Sequence, residues 1–182
     1  RPPRSTLFPY TTLFRSTIEP RKGHIQVLQA FEILWKLGLD VNIVFVGKQG
    51  WMMDNFIDAI KSNTMQNTHL FWLDSISDEF LDIIYNSCDC LIASSEAEGF
   101  GLPLIEAAKY KIPIVARDLP VFRGIAKDSV FYFKNSNNPK ILADSLCEWI
   151  DLYHKNLHPK SENMSYITWE ESANQLLKAI KL

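Results

Sequence analysis

Two acidic side chains, Glu98 and Glu106, stand with seven residues between them, around the run Gly99-Phe100-Gly101-Leu102-Pro103. An ionised carboxylate accepts hydrogen bonds on both oxygens and donates none. Placed beside a pair of sugar or ribose hydroxyls, such a group makes charge-assisted bonds of about 1.5–3 kcal/mol each. Gly99 and Gly101 strip two side chains from the turn between the acids, which lets main chain come close to a ligand. A third charged group, Lys22, lies in Pro20-Arg21-Lys22-Gly23-His24. A lysine just ahead of a helix can pair with a phosphate held over the helix N-terminus. Carboxylates, a cation and bare main chain suit a ligand that carries both hydroxyls and phosphate.

These groups need elements to position them. Cys88 to Ala93 reads as a short buried strand, and Leu104, Ile105, Ala107 and Ala108 fall on one side of a helix. Pro103 suits the first helical turn, where its missing N–H is not needed. The segment is therefore strand, glycine loop, helix, and the free N–H groups of that helix start favour an anion such as a diphosphate. A Gly-x-Gly turn alone also serves any tight strand-to-helix connection.

The same alternation runs along the chain. Ile25, Leu28, Phe31 and Leu34 recur at helical spacing after the Lys22 loop. Val41 to Gly47 is a near-continuous apolar run, as expected of a parallel strand buried on both faces. A helix marked by Phe56, Ile57 and Ile60 follows, then a strand within Asn67 to Leu73. Ser77 is placed to cap the next helix, whose apolar stripe is Phe80, Leu81, Ile84 and Tyr85. Lys111 to Ala116 and Ser129 to Phe133 read as two further strands, and helices follow at Ile141 to Ile150 and Trp169 to Ile180. Such alternation predicts an α/β protein with a mostly parallel sheet flanked by helices, and ligands of such sheets bind at the carboxyl ends of the strands. Lys22, the Leu73–Asp74–Ser75 turn and the Glu98–Gly101 loop all fall at strand ends.

With 182 residues, 47% hydrophobic and 22% charged, the chain has the composition of a globular domain. Its net charge of −2 and pI near 6.1 argue against a nucleic-acid partner, which wants a strongly basic surface. No apolar run is long enough to span a bilayer. Cys88, Cys90 and Cys147 lack further Cys or His at ligand spacing, so free thiols are expected and no metal site. Thr6 to Ser16 resembles the in-frame translation of a short-read sequencing adapter. Residues 1–16 are accordingly set outside the natural protein, leaving a domain of 17–182.

The string Glu98-Gly99-Phe100-Gly101-Leu102-Pro103-Leu104-Ile105-Glu106-Ala107 resembles the E-x7-E motif of retaining glycosyltransferases of the GT-B fold, in particular glycosyltransferase family 4. Glu19-Pro20-Arg21-Lys22-Gly23-His24 resembles the first strand-to-helix loop of the same family's C-terminal, donor-binding domain. The resemblance covers nearly all of Thr17 to Leu182. It implies a Rossmann-like sheet, the C-terminal half of a GT-B fold, that binds a nucleotide sugar linked to GDP or UDP. It implies a catalytic role for Glu98 beside the transferred sugar and for Lys22 on the diphosphate. Donor contacts would come from Lys22, Leu73, Asp74, Gly99, Phe100, Gly101, Leu102 and Glu106, the last on the ribose. No cofactor and no obligatory metal are implied. The Glu-Pro-Arg-Lys form of the first loop is similar to that of bacterial polysaccharide mannosyltransferases, which leans toward GDP-mannose. A glycan or lipid-linked acceptor would be held by an N-terminal domain that this chain lacks, so the fragment alone is expected to be inactive. The expected location is cytoplasmic, including the inner face of the membrane. Many relatives carry an Arg shortly before the first loop, with no recognisable counterpart here. They also often carry a Glu after the residue matching Arg123, where this chain has Gly124. The competing reading is a Rossmann- or flavodoxin-like module that binds a nucleotide or sugar phosphate without catalysis. A sugar-nucleotide epimerase or a phosphorylase sharing the fold is a third. Glu98 discriminates, since only transfer chemistry needs it.

Overall fold

In the computed structural model, which describes residues 10–166 and 169–180, six parallel strands form one sheet. They are β1 Tyr10–Arg15, β2 Val41–Val46, β3 Leu70–Leu73, β4 Cys90–Ala93, β5 Ile114–Arg117 and β6 Phe131–Phe133. The helices are α1 His24–Lys36, α2 Asp54–Ser62, α3 Asp78–Ser87, α4 Leu102–Lys109, α5 Pro120–Ala126, α6 Pro139–His154 and α7 Trp169–Ile180. The strand order is β3-β2-β1-β4-β5-β6, the doubly wound Rossmann arrangement. The chain builds outward from β1 in one direction, then returns and builds outward in the other. The order therefore reverses between β1 and β4, and in sheets of this kind ligands bind at such a reversal, beyond the carboxyl ends of the strands.

Parallel strands covered on both faces must be apolar on both. Successive side chains along β1 and β4 accordingly enter different cores: Phe14 and Ile92 join α1, α2 and α6, while Leu13 and Leu91 join α3, α4 and α5. Burying a Leu or Phe contributes about 1.5–3 kcal/mol, and Leu13, Ile43, Phe45, Leu70, Leu91 and Val115 are all sealed from solvent. Ser77 caps α3 as its sequence position suggests, its Oγ accepting from the Phe80 N–H at 3.3 Å.

Tyr10–Arg15 lies in the run set outside the domain, yet it is the central strand, in register with β2 from Tyr10↔Val41 to Arg15↔Val46 and with β4 at Thr12↔Cys90 and Leu13↔Leu91. The folded unit thus reaches at least to Tyr10. The physical reason is that β-branched and apolar residues (Thr11, Thr12, Leu13, Phe14) suit a buried strand whatever their source. The expected reach of the domain to residue 182, and the expected artefact at residues 1–9, fall partly outside the described residues. Strand starts also shift inward by two or three residues, as at β3, β4, β5 and β6. Cys88 and Cys90 are buried and Cys147 is half-buried. On α7, Leu176, Leu177 and Ile180 are exposed. Among the described residues, no helix is long and apolar enough to cross a membrane.

Candidate functional site

β1 runs out at Arg15 and the chain passes through Ser16–Glu19 into a short 3-10 turn, Pro20–Lys22. Gly23 ends that turn and caps α1 with φ +78°, a left-handed conformation suited to glycine. Its other constraint is space: a Cβ there would sit 2.6 Å from the main-chain oxygen of Ser94 and 2.8 Å from its Oγ. Ser94 is the first residue beyond β4. The loops that follow β1 and β4 therefore touch through main chain.

Two hydrogen bonds fasten this contact. Ser94 Oγ donates to the Lys22 carbonyl at 2.9 Å, and the Glu96 N–H donates to the Arg21 carbonyl at 2.8 Å. Beneath them lies Arg117, at the end of β5 and only 1% exposed. Its Nε donates to the Ser94 carbonyl at 3.0 Å and its Nη2 to Gln26 Oε1 at 2.6 Å. Its Nη1 donates to Asn135 Oδ1, the Ser136 carbonyl and Asn137 Oδ1, at 2.9–3.2 Å. A buried charge is tolerated when its donors are satisfied. Here neutral acceptors satisfy them, and one guanidinium holds the β4 loop, α1 and the β6–α6 loop together. Burial lowers the Arg117 pKa from its usual value, opposed by the charge of Glu96.

The fastened loops set Lys22 against Glu98. Lys22 Nζ donates to Glu98 Oε2 at 2.6 Å, with the two side chains only 12% and 14% exposed. Ser95 Oγ donates to the same oxygen at 3.1 Å. Burial raises the Glu98 pKa, but the Lys22 hydrogen bond and charge, the Ser95 hydroxyl and the Gly99 N–H together outweigh it, and the net shift is downward. Glu98 is thus an ionised carboxylate in an ion pair, across the point where the strand order reverses.

Glu106, one turn into α4, belongs to a second polar group. Arg15 Nη1 lies 2.9 Å from its Oε1 and 2.8 Å from its Oε2, and the Tyr85 hydroxyl donates to Oε2 at 2.9 Å. Gly101 caps α4 with φ +95°, and a Cβ there would meet the Phe122 ring at 3.0 Å. A Cβ at Gly99 would meet no protein atom within 4 Å. Phe100 and Leu102 are exposed, at 56% and 45%.

Lys22, Glu98 and the Gly99–Leu102 loop are therefore brought together, with Glu106 on the helix that follows. Leu73 and Asp74 are not part of that group. Leu73 ends β3 and Asp74 follows it, two strands out from β1, which is about 10 Å at ordinary strand spacing. The Leu73 carbonyl accepts from the Gly47 N–H at 3.1 Å, and exposed Asp74 accepts from the Ser75 hydroxyl at 2.9 Å. His24 is a buried helix-start residue, ringed by Phe14, Phe45 and Phe56 at 4.3–5.8 Å between centroids. Arg123 grips Asp118 with two nitrogens at 2.7 and 2.8 Å and covers the Tyr132 ring at 3.9 Å, an anchorage that does not use position 124. The sequence reading placed Tyr85 only on an apolar stripe and gave no role in the site to Arg15, Ser94, Ser95 or Arg117. An Arg ending the buried run Ile114–Arg117 was the available signal for the last of these. Among the described residues, no group of three or more His, Cys, Asp or Glu is arranged to hold a metal ion.

The family model for glycosyl transferases group 1 matches residues 6–168. The serotype-specific mannosyltransferase WbdA of Escherichia coli is 48% identical over 166 residues, which are 91% of this chain and 20% of that protein. The O-antigen chain mannosyltransferase B of Escherichia coli is 24% identical over 173 residues, 93% of this chain and 45% of that protein. The chain thus spans one-fifth to about half the length of these relatives. Among solved structures, Anabaena HepE in complex with UDP superposes with a TM-score of 0.75 at 16% identity, over 94% of this chain and 49% of its own. Sucrose-phosphate synthase from Thermosynechococcus elongatus gives 0.76 at 17%, over 94% and 44%.

Proposed function

The chain belongs to the glycosyl transferases group 1 family, and on that premise we propose that it is the donor-binding part of a retaining glycosyltransferase. In this reading it holds a nucleoside diphosphate sugar in the crevice between β1 and β4. The observation that carries it is the Lys22–Glu98 pair at 2.6 Å, set at the reversal of strand order beside the Gly99–Leu102 loop. Lys22 neutralises charge that builds on the leaving diphosphate, the main electrostatic task of such a transfer. Main-chain N–H groups at the start of α4 share that charge. The open space above Gly99 leaves room for it. An incoming diphosphate competes with Glu98 for Lys22, and a released Glu98 is left beside the transferred sugar. Glu106 takes the ribose hydroxyls. Leu73 and Asp74, farther along the same edge, are in reach of the nucleobase end of an extended donor.

Mannose is the transferred sugar this reading favours, with GDP as its carrier, because the relatives named above are mannosyltransferases. The structural neighbour in complex with UDP keeps the uridine donor as the competitor. The acceptor, a glycan or lipid-linked glycan, is assigned to the rest of the full-length protein, at the cytoplasmic side of the membrane. No cofactor or resident metal enters the reading.

Calorimetric titration with GDP, UDP and ADP tests it. One diphosphate is expected to bind, and Lys22→Met to abolish most of that binding. Glu98→Gln is expected to keep it, and to abolish transfer when placed in the full-length enzyme. The isolated chain is expected to transfer no sugar. Absence of nucleotide binding, or Glu98→Gln that transfers normally, overturns the reading.

A further inference from the structure

Glu106 is held from behind by a device that the donor reading does not use. Tyr85 projects from α3 and is 2% exposed, so its ring is core rather than crevice. Its hydroxyl is the polar exception, donating to Glu106 Oε2 at 2.9 Å. The ring of Tyr110, just beyond α4, lies parallel to it at 4.7 Å with an interplanar angle of 2°. The Tyr110 hydroxyl in turn donates to Asp82 on α3. Two tyrosines thus bridge α3 and α4 in both directions, phenol to carboxylate each time. A buried Tyr normally finds one partner for its hydroxyl. Here the partner is a side chain that is itself one-third exposed.

A carboxylate has about four acceptor sites. A donor fixed on Oε2 sets the plane of the group. Arg15 Nη1 also lies 2.9 Å from Oε1 and 2.8 Å from Oε2, so a vicinal diol reaches the carboxylate by displacing Arg15, and then finds an acceptor site on each oxygen with Tyr85 still in place. The bond also requires a phenol that keeps its proton. Burial, followed by the Glu106 charge and hydrogen bond, pushes the Tyr85 pKa upward, so it does.

Resting on the donor-site reading above, we infer that Tyr85, steadied by the ring of Tyr110, is a positioning residue that presents the Glu106 carboxylate to the ribose diol of the nucleotide. It touches no ligand and acts through Glu106. Loss of its hydroxyl frees the carboxylate to rotate and leaves the ring, and hence the core, in place.

The test compares GDP and UDP with their 2′,3′-dideoxy analogues. The wild-type chain is expected to prefer the ribonucleotide. Tyr85→Phe is expected to weaken ribonucleotide binding by roughly threefold to tenfold, the size of one ordinary net hydrogen bond because the effect is passed on through Glu106, and to leave the dideoxy analogue unchanged. In a Glu106→Gln background the same substitution is expected to have little further effect. Tyr110→Leu, which keeps the phenol but removes its stacked neighbour, is expected to lose a smaller part of the preference, and it answers the question should Tyr85→Phe not fold. A folded Tyr85→Phe with the wild-type preference overturns the inference alone, as does an unchanged Tyr110→Leu where only that variant folds. A Tyr85→Phe loss equal for ribo- and dideoxynucleotide, as general loosening of the core would give, also overturns it. If the wild-type chain binds neither nucleotide, the donor-site reading falls and takes this inference with it.

Discussion

Gly23→Ala should cost far more than its one methyl group, because Gly23 is where the two halves of the site meet. With φ +78°, an alanine there adopts a left-handed conformation at about 1–2 kcal/mol. Its Cβ also lies 2.6 Å from the Ser94 carbonyl oxygen and 2.8 Å from Ser94 Oγ. That oxygen is main chain, is fully buried, and is already bonded to Arg117 Nε, so it cannot swing aside cheaply. Overpacking of this kind costs about 1–3 kcal/mol. The sum is about 2–5 kcal/mol, a large part of the 5–15 kcal/mol typical of a domain. Gly38 supplies the control: its φ is +80°, but a Cβ there meets nothing within 4 Å. Gly38→Ala should show the conformational cost alone. Urea unfolding of both variants separates the two terms, provided the slope with denaturant stays at the wild-type value. Nucleotide titration of folded Gly23→Ala should also show weakened binding, since moving Ser94 releases the Lys22 carbonyl and shifts Lys22 from Glu98. A Gly23→Ala midpoint equal to that of Gly38→Ala would refute the claim that the two loops are joined by main-chain contact.

Arg15→Met should strengthen GDP or UDP binding by about 1.5-fold to fivefold, because Arg15 and Glu106 form a half-exposed ion pair of the kind worth about 0.2–1 kcal/mol, in competition with the ribose; unchanged or weaker binding refutes the competition. If Arg15 belongs to an adapter-derived run, a second read of the locus should show other residues before Thr17. Acid should destabilise the protein well above the carboxylate range: burial lowers the His24 pKa from 6.5 to about 3, a hydrogen bond to the Glu19 carbonyl opposes this, and the Lys22 charge adds to the lowering. The unfolded state therefore binds the extra proton, and stability falls by up to about 1.4 kcal/mol per pH unit from His24 as pH drops from 6.5 toward 3. His158, lowered to about 4 by burial and by Lys160, adds to the loss between 6.5 and 4. His24→Leu should flatten the urea-midpoint profile in this window, and parallel profiles would show that His24 is not held neutral.

What could be read from residues alone follows from how local the causes are. The glycine loop, Pro103 and the apolar side of α4 act within a dozen residues, and the strand–loop–helix they specify is present. Ser77 needs only its own main chain to cap α3. The apolar runs located every strand from β2 onward, with ends off by a few residues. β1 was passed over for a different reason. The resemblance of Thr6 to Ser16 to an adapter concerns where the residues came from, whereas the sheet responds only to their shape and apolarity.

The partners that define the site have sequence separations of 21 to 91 residues, and only the strand order brings them together. Lys22 and Glu98 are 76 apart, Arg15 and Glu106 are 91 apart, and Tyr85 and Glu106 are 21 apart. A lysine after β1 meets a glutamate after β4 because β1 and β4 are adjacent, an arrangement that follows once the first three strands build outward and the fourth returns to the middle. Adjacency alone would leave the two loops free to splay. Gly23 lets their main chains touch, and Arg117 draws Ser94 toward α1 and the β6–α6 loop with five hydrogen bonds to neutral acceptors. A guanidinium with carboxylate partners would have cancelled its own charge. With amide, carbonyl and main-chain oxygens instead, it organises the loops and leaves a positive field under a crevice assigned to an anionic donor.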